Sequence, residues 1–199
     1  MILRSYCKSM AELSEDESKK TRGPGAAATE ADANAALAAA RRVPTAADEA
    51  YDIRIARDGT WYHNGGPIRR LALVKLLATV LRRDDAGDYW LVTPAERGRI
   101  TVEDVPFVAV AVEVEGQGEA QVLTFRTNLD QVRAAGPDHP IRVTFDPATG
   151  EPSPYVRIAG GLDALLSRAV FYELAEIAVT HGDRMGVWSN GVFFPLDQA

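Results

Sequence analysis

Several residue types are scarce, and each scarcity excludes something. Cysteine is represented by Cys7 alone in 199 residues, so no internal disulfide can form. A reducing cytoplasm is the compartment that fits such usage. The three histidines, His63, His139 and His181, stand far apart, and none has a Cys or His partner at zinc-ligand spacing. No apolar run approaches the ~18 residues needed to span a membrane. The opening Met1-Ile2-Leu3-Arg4-Ser5-Tyr6 has neither the long apolar stretch nor the small-residue cleavage pattern of a secretory signal. Also missing are a P-loop, a Gly-x-Ser-x-Gly elbow and a Gly-x-Gly-x-x-Gly between strand and helix. These absences count against common metal, hydrolase and dinucleotide chemistry.

Charge leans acidic. Lys plus Arg number 22 and Asp plus Glu 28, for a net charge of −6. The first 48 residues are balanced, so the remainder carries the whole excess. Such a surface is a poor general binder of DNA or RNA, which demands cationic groups to displace phosphate counterions. One basic pocket for a small anion remains compatible with it. After residue 48 the only lysine is Lys75, against 14 arginines; genomic base composition accounts for this more simply than selection for guanidinium chemistry.

Residues 1–48 read as a mobile low-complexity tail. Mixed charges from Glu12 to Arg22 give way to Gly23-Pro24-Gly25 and then to small residues from Ala26 to Ala40. A transient helix near Glu30–Arg42 would have no large apolar face to dock. Met10 resembles an alternative start, which would make residues 1–9 a start-site artefact.

From Tyr51 the pattern is that of a folded chain. Asp52-Ile53-Arg54-Ile55, the Asp58-Gly59 turn and Thr60-Trp61-Tyr62-His63 spell a hairpin, closed by Asn64-Gly65-Gly66-Pro67. Leu73, Val74, Leu77, Val80 and Leu81 then predict an amphipathic helix over Arg69–Arg83. Strands at Tyr89–Val92 and Arg99–Val102 complete a strand-strand-helix-strand-strand unit, residues 49–105. A second unit, 106–199, follows the same order: strands at 141–145 and 155–158, a helix over Leu162–Val179, and a hairpin at 185–194 turned by Ser189-Asn190-Gly191. Large aromatics (Trp61, Trp90, Tyr155, Trp188) recur at like places, which points to an internal duplication. Between the two runs, Phe107 to Glu115 alternates with Val108, Val110, Val112 and Val114 on one face, and Val122–Arg126 returns as its hairpin partner, attached to the second unit. The fold class is α+β with mainly antiparallel sheets.

Five clusters carry enough chemistry to weigh. In Thr93-Pro94-Ala95-Glu96-Arg97 the guanidinium could grip a phosphate while Thr93 and Glu96 add polar recognition; the plainer reading is a proline-built turn. Glu103-Asp104 offers paired carboxylates, but neighbouring strand residues face opposite ways and would not share a site. Trp61 could stack a base beside His63, or simply pack in the core. Arg69-Arg70 begin a helix, where exposed amides favour an anion. On the second helix Arg168 and Tyr172 share a face.

Tyr51-Asp52-Ile53-Arg54-Ile55, Asp58-Gly59-Thr60-Trp61, Pro67-Ile68-Arg69-Arg70, Tyr89 through Arg97 and Val102 through Phe107, taken in order, resemble a bacterial family, domain-of-unknown-function family 1285. The similarity covers residues 51–199. It implies a duplicated α+β core whose C-terminal part superficially looks like a pleckstrin-homology fold, a ligand site between the two parts for a nucleotide-like molecule, and a signalling role. The family brings no catalytic residue and no cofactor.

The resulting expectation is a cytoplasmic, non-enzymatic binding or regulatory protein for an anionic, nucleotide-like ligand, with Arg70, Arg97, Thr93, Glu96, Trp61 and Tyr172 as the ligand-binding residues and no metal. A protein partner or a second copy of the chain would belong to the alternative, an interaction domain using a sheet edge such as Val122–Arg126. An enzyme with Glu96, Glu103 or Asp104 as base ranks third.

Overall fold

The computed structural model describes residues 49–94 and 96–198, and the expected tail with its transient helix lies outside them. Among the described residues, fifteen strands and two α-helices make up an α+β fold with mainly antiparallel sheets. The first sheet contains β1 (Glu49–Ile55), β2 (Trp61–His63), β3 (Gly66–Pro67), β4 (Leu81–Arg83), β5 (Tyr89–Val92) and β6 (Arg97–Val102), in the order β3-β2-β1-β6-β5-β4. The second contains β7 (Phe107–Glu115), β8 (Val122–Thr127), β9 (Val132–Ala134), β10 (Ile141–Phe145), β11 (Pro152–Ala159) and β12 (Leu162–Leu166), in the order β10-β11-β12-β7-β8-β9. Numbered along the chain within each sheet, with the second sheet read from its β9 end, both run third, second, first, sixth, fifth, fourth. The duplication therefore lies in the strand order, β7–β12 against β1–β6, rather than in the expected match of 141–194 to the first unit. One helix follows the third strand of its sheet, and the other follows the sixth. In the second sheet the central pair, β12 and β7, is parallel. A third sheet, β13 (Val179–His181), β14 (Arg184–Ser189) and β15 (Val192–Pro195), is a plain antiparallel meander.

The chain divides into two compact units: residues 49–51 with 80–100, and 52–79 with 101–198. In the smaller unit Leu81, Tyr89, Trp90, Leu91 and Ile100 are buried. The larger unit buries Ile53, Ile55 and Trp61 from its first hairpin, Phe107, Leu123 and Phe125 from β7 and β8, and Val170 and Leu174 from the second helix.

Both helices are shorter than their periodicity predicts. The first, α1, spans Leu71–Thr79. Leu81–Arg83 pairs with β5 instead, Leu81 opposite Leu91, and Val80 O accepts from Val92 N. The second, α2, spans Arg168–Glu176. Its expected first turn, Leu162–Leu166, is a strand with neighbours on both sides, Leu165 meeting Tyr155 of β11 and Val108 of β7. A strand with neighbours on both sides and little exposure is mostly apolar, here all but Asp163, so its leucines mimic helical spacing. Ser167 then stops the strand and caps α2, its hydroxyl accepting from Val170 N.

Two further expectations are corrected by the ladders. A bulge interrupts β7: Ala109 faces Thr127 but Ala111 faces Arg126, leaving Val110 as the extra residue. One inserted residue reverses the facing of all that follow. Phe107 and Ala109 are buried before it, while Val112 and Val114 oppose the buried Phe125 and Leu123 after it, so the four valines do not share one face. Val122–Arg126, for its part, is no free edge, because β8 is paired with β7 on one side and β9 on the other.

The third sheet is anchored by side chains of its β14–β15 turn. Ser189, fully buried, donates its hydroxyl to Ala135 O at 2.8 Å and accepts from Leu123 N at 2.9 Å. Asn190 donates its amide to the same Ala135 oxygen, and Gln121 donates to Trp188 O.

Candidate functional site

Within the larger unit lies a cleft of about 520 Å³, whose walls come from β11, the end of β12, the first turns of α2, and Arg57 of the β1–β2 turn. Its polar lining is Arg57, Arg168, Glu151, Ser153 and Ser167; its rings are Phe171 and Tyr172. Phe171 and Tyr172 fall here because Val170 and Leu174 turn the opposite side of α2 into the core. Arg168, on the helix's first turn, is 85% exposed and meets Glu151 at 3.4 Å. A pair so open contributes little, ~0–1 kcal/mol, and exchanges partners readily.

Arg57 is the best-positioned cation. Its backbone N–H donates to Glu103 and its guanidinium donates to Ser153 Oγ at 3.1 Å, while Asp104 stands 3.3 Å from its Nε. Glu103 also accepts from Arg54. The two adjacent carboxylates thus converge on one residue, contrary to the alternation argument. That argument fails because β6 ends at Val102, before the pair is reached. Both carboxylates hold arginines and stand outside the cleft lining.

Behind Arg57 the polar contacts continue across β10, β11 and β12. Tyr155 donates its hydroxyl to both oxygens of Asp104, at 3.1 and 3.2 Å. Burial pushes this phenol above its usual value, and the negative charge of Asp104 adds to the effect. The Arg142 guanidinium lies 4.1 Å from the Tyr155 ring centre and donates to Asp163, which Arg157 also serves. Asp163 is 3% exposed, and this double pairing is what allows a carboxylate there. The network fixes the strands that carry the cleft.

Of the six residues named from sequence, Tyr172 lines the cleft, 64% exposed. Trp61 is 1% exposed, its ring in the core. Arg70 is exposed at the start of α1, where its carbonyl accepts from Leu73 and Val74. Thr93 spends its hydroxyl on the N–H and C=O of Glu96, closing the turn. Arg97 lies over the Trp90 ring at 4.4 Å, within the smaller unit. Arg57, Ser153 and Ser167 carried no sequence signal of their own. Only the pairing of Arg168 with Tyr172 on one helical face pointed toward this part of the molecule.

Among the described residues no helix is long and apolar enough to cross a membrane. Comparison with known proteins supplies the relationship. Residues 43–105 match the N-terminal domain, and residues 106–196 the C-terminal domain, of the group described as a protein of unknown function, DUF1285. No curated protein matches. A DUF1285 family protein of Silicibacter pomeroyi is similar in structure with a TM-score of 0.72 and 46% identity, over 80% of this chain and 93% of that one. Another, from Shewanella baltica, shows 26% identity over 62% and 89%, with a TM-score of 0.48. Two domain matches in tandem, together with a relative of this identity and coverage, place the chain in the DUF1285 family.

Proposed function

We propose that this protein is a non-enzymatic, regulatory binding module for a small anionic ligand of nucleotide-like character, seated in the α2 cleft. The observation that carries the reading is the company kept there: two guanidinium groups, two serine hydroxyls and two aromatic rings around about 520 Å³. A cavity of that size suits a ligand of a few hundred daltons. Arg57 and Arg168 would neutralise the anion, with the forked N–H geometry that suits phosphate or carboxylate. Tyr172 would cover a planar ring. Release of Glu151 and Asp104 from the two arginines is the main cost; the Arg168–Glu151 pair is open and gives way cheaply, and Asp104, half-buried, keeps the Tyr155 hydroxyl as a partner.

The test is a thermal-shift screen of nucleotides, inorganic phosphate and simple carboxylates on the wild type and on Arg168→Ala. A ligand at a hundred times its Kd adds about 2.7 kcal/mol, a rise of roughly 5–10 °C for a protein of this size. Nucleotides should exceed phosphate, and the variant should lose most of the rise. A flat response to every compound would sink the proposal.

The interaction-domain alternative keeps one specific support. In β13, an outer strand of the third sheet, all three residues are exposed, Val179 at 45%. It predicts a co-purifying protein and indifference to small anions.

A further inference from the structure

Two turns in this molecule have the same dipeptide and the same backbone. Asn64-Gly65 joins β2 to β3, and Asn190-Gly191 joins β14 to β15. Both asparagines sit at φ 49°, followed by glycines at 77° and 73°, the doubly left-handed geometry of a two-residue hairpin turn. Asparagine followed by glycine is also a reactive sequence. The glycine nitrogen, unhindered by a neighbouring side chain, can attack the asparagine Cγ.

What differs is restraint. At Asn190 the side-chain amide donates to Ala135 O at 2.6 Å and the backbone N–H donates to Gln121 O at 2.9 Å. The Gly191 N–H, whose nitrogen would be the nucleophile, donates to Glu119 O at 3.2 Å. At Asn64 one bond remains, from its backbone N–H to Asp52 O at 3.2 Å. Its side-chain amide and the Gly65 N–H have no partner among the described residues, and residues 64–66 are exposed.

We propose that Asn64 is a site of spontaneous deamidation and isomerisation, and that the fold protects Asn190 from the same reaction. The Gly65 nitrogen gives up its proton and bonds to Asn64 Cγ. The bond from Cγ to the side-chain nitrogen breaks, ammonia departs, and a cyclic succinimide remains. Water then opens the ring at either carbonyl, leaving aspartate or its β-linked isomer. One water enters and one ammonia leaves, and the turn gains a negative charge. The β-linked product also lengthens the main chain by one methylene, which a two-residue hairpin between β2 and β3 does not accommodate. The inference is independent of the cleft.

The experiment is incubation of the full chain in mildly alkaline buffer, with peptide mapping of both sites over time. The same chain unfolded in urea calibrates the two sequences. In urea both asparagines should convert at similar rates. In the folded protein Asn64 should convert roughly tenfold or more faster than Asn190, since reaction at the latter must first break the bonds of Asn190 and Gly191. If Asn190 keeps pace with Asn64 in the folded chain, the proposal is overturned. Survival of Asn64 in folded protein, under conditions that convert it in urea, overturns it equally.

Discussion

Ser189→Ala removes a single oxygen from a position with no solvent exposure, and its cost can be worked from the two bonds that oxygen makes. Leu123 N–H donates to it at 2.9 Å; without the hydroxyl this buried donor is orphaned, at about 1–3 kcal/mol. Ala135 O receives its proton at 2.8 Å but keeps a second donor, the Asn190 amide at 2.6 Å, so its loss is smaller, about 0.5–1.5 kcal/mol. Together these give roughly 2–4 kcal/mol, or a fall in Tm of about 5–15 °C for a chain of this length. Urea unfolding should show a lower midpoint with an unchanged slope, because the exposed surface is the same. Adding Asn190→Ala strips the remaining donor from Ala135, so the double variant should lose more than the two single losses combined. A loss below about 0.5 kcal/mol, the range of an ordinary surface change, would refute the claim that this hydroxyl fastens the third sheet.

Other outcomes follow from the same packing. A Cβ added at Gly98 would lie 2.3–2.4 Å from three ring carbons of Tyr51, so Gly98→Ala should cost about 1–3 kcal/mol, and Tyr51→Ala in the same chain should relieve part of it, read by urea midpoints. Stability should also vary at both ends of the pH range. Asp58 is held below its ordinary value by the Thr60 amide, Asp146 by the amides of Thr149 and Ala148, and Asp197 by the Met185 amide and then Arg184. The unfolded chain binds protons at these groups first, so their contribution is complete above about pH 4 and drains away as pH falls through the lower folded values. Tyr155 has the opposite sign. Its folded value is raised, so its contribution is whole below about pH 10 and is lost as pH climbs further. Tyr155→Phe should flatten the alkaline limb of a Tm–pH curve and leave the acid limb unchanged.

Where the sequence could be read and where it could not divides along physical lines. The Asp58-Gly59 and Asn190-Gly191 turns are local chemistry, settled by φ preferences within a few residues, and their hairpins lie where the dipeptides put them. The ends of α1 and α2 are not local. Val80-Leu81 and Leu162–Leu166 satisfy a helical period, and only the strands they meet, β5 in one case and β11 with β7 in the other, decide against it. The bulge at Val110 is likewise invisible in a run of perfect alternation. A duplication was legible in the sequence but in other elements: the succession set 141–194 against the first unit, while the long-range ladders set β7–β12 against β1–β6. The cleft was hardest to see. Its cations come from positions more than a hundred residues apart, Arg57 and Arg168, and neither stands in a motif.

The most direct test of the ligand reading is to watch the backbone amides of the whole chain by heteronuclear NMR while adenosine monophosphate is titrated in. Shifts should concentrate at Arg57, Glu151 and Ser153 and at 165–172, and saturate together. Shifts centred instead on Arg70 or on the Thr93–Arg97 turn, or none anywhere at concentrations well above the usual range of such sites, would contradict that reading.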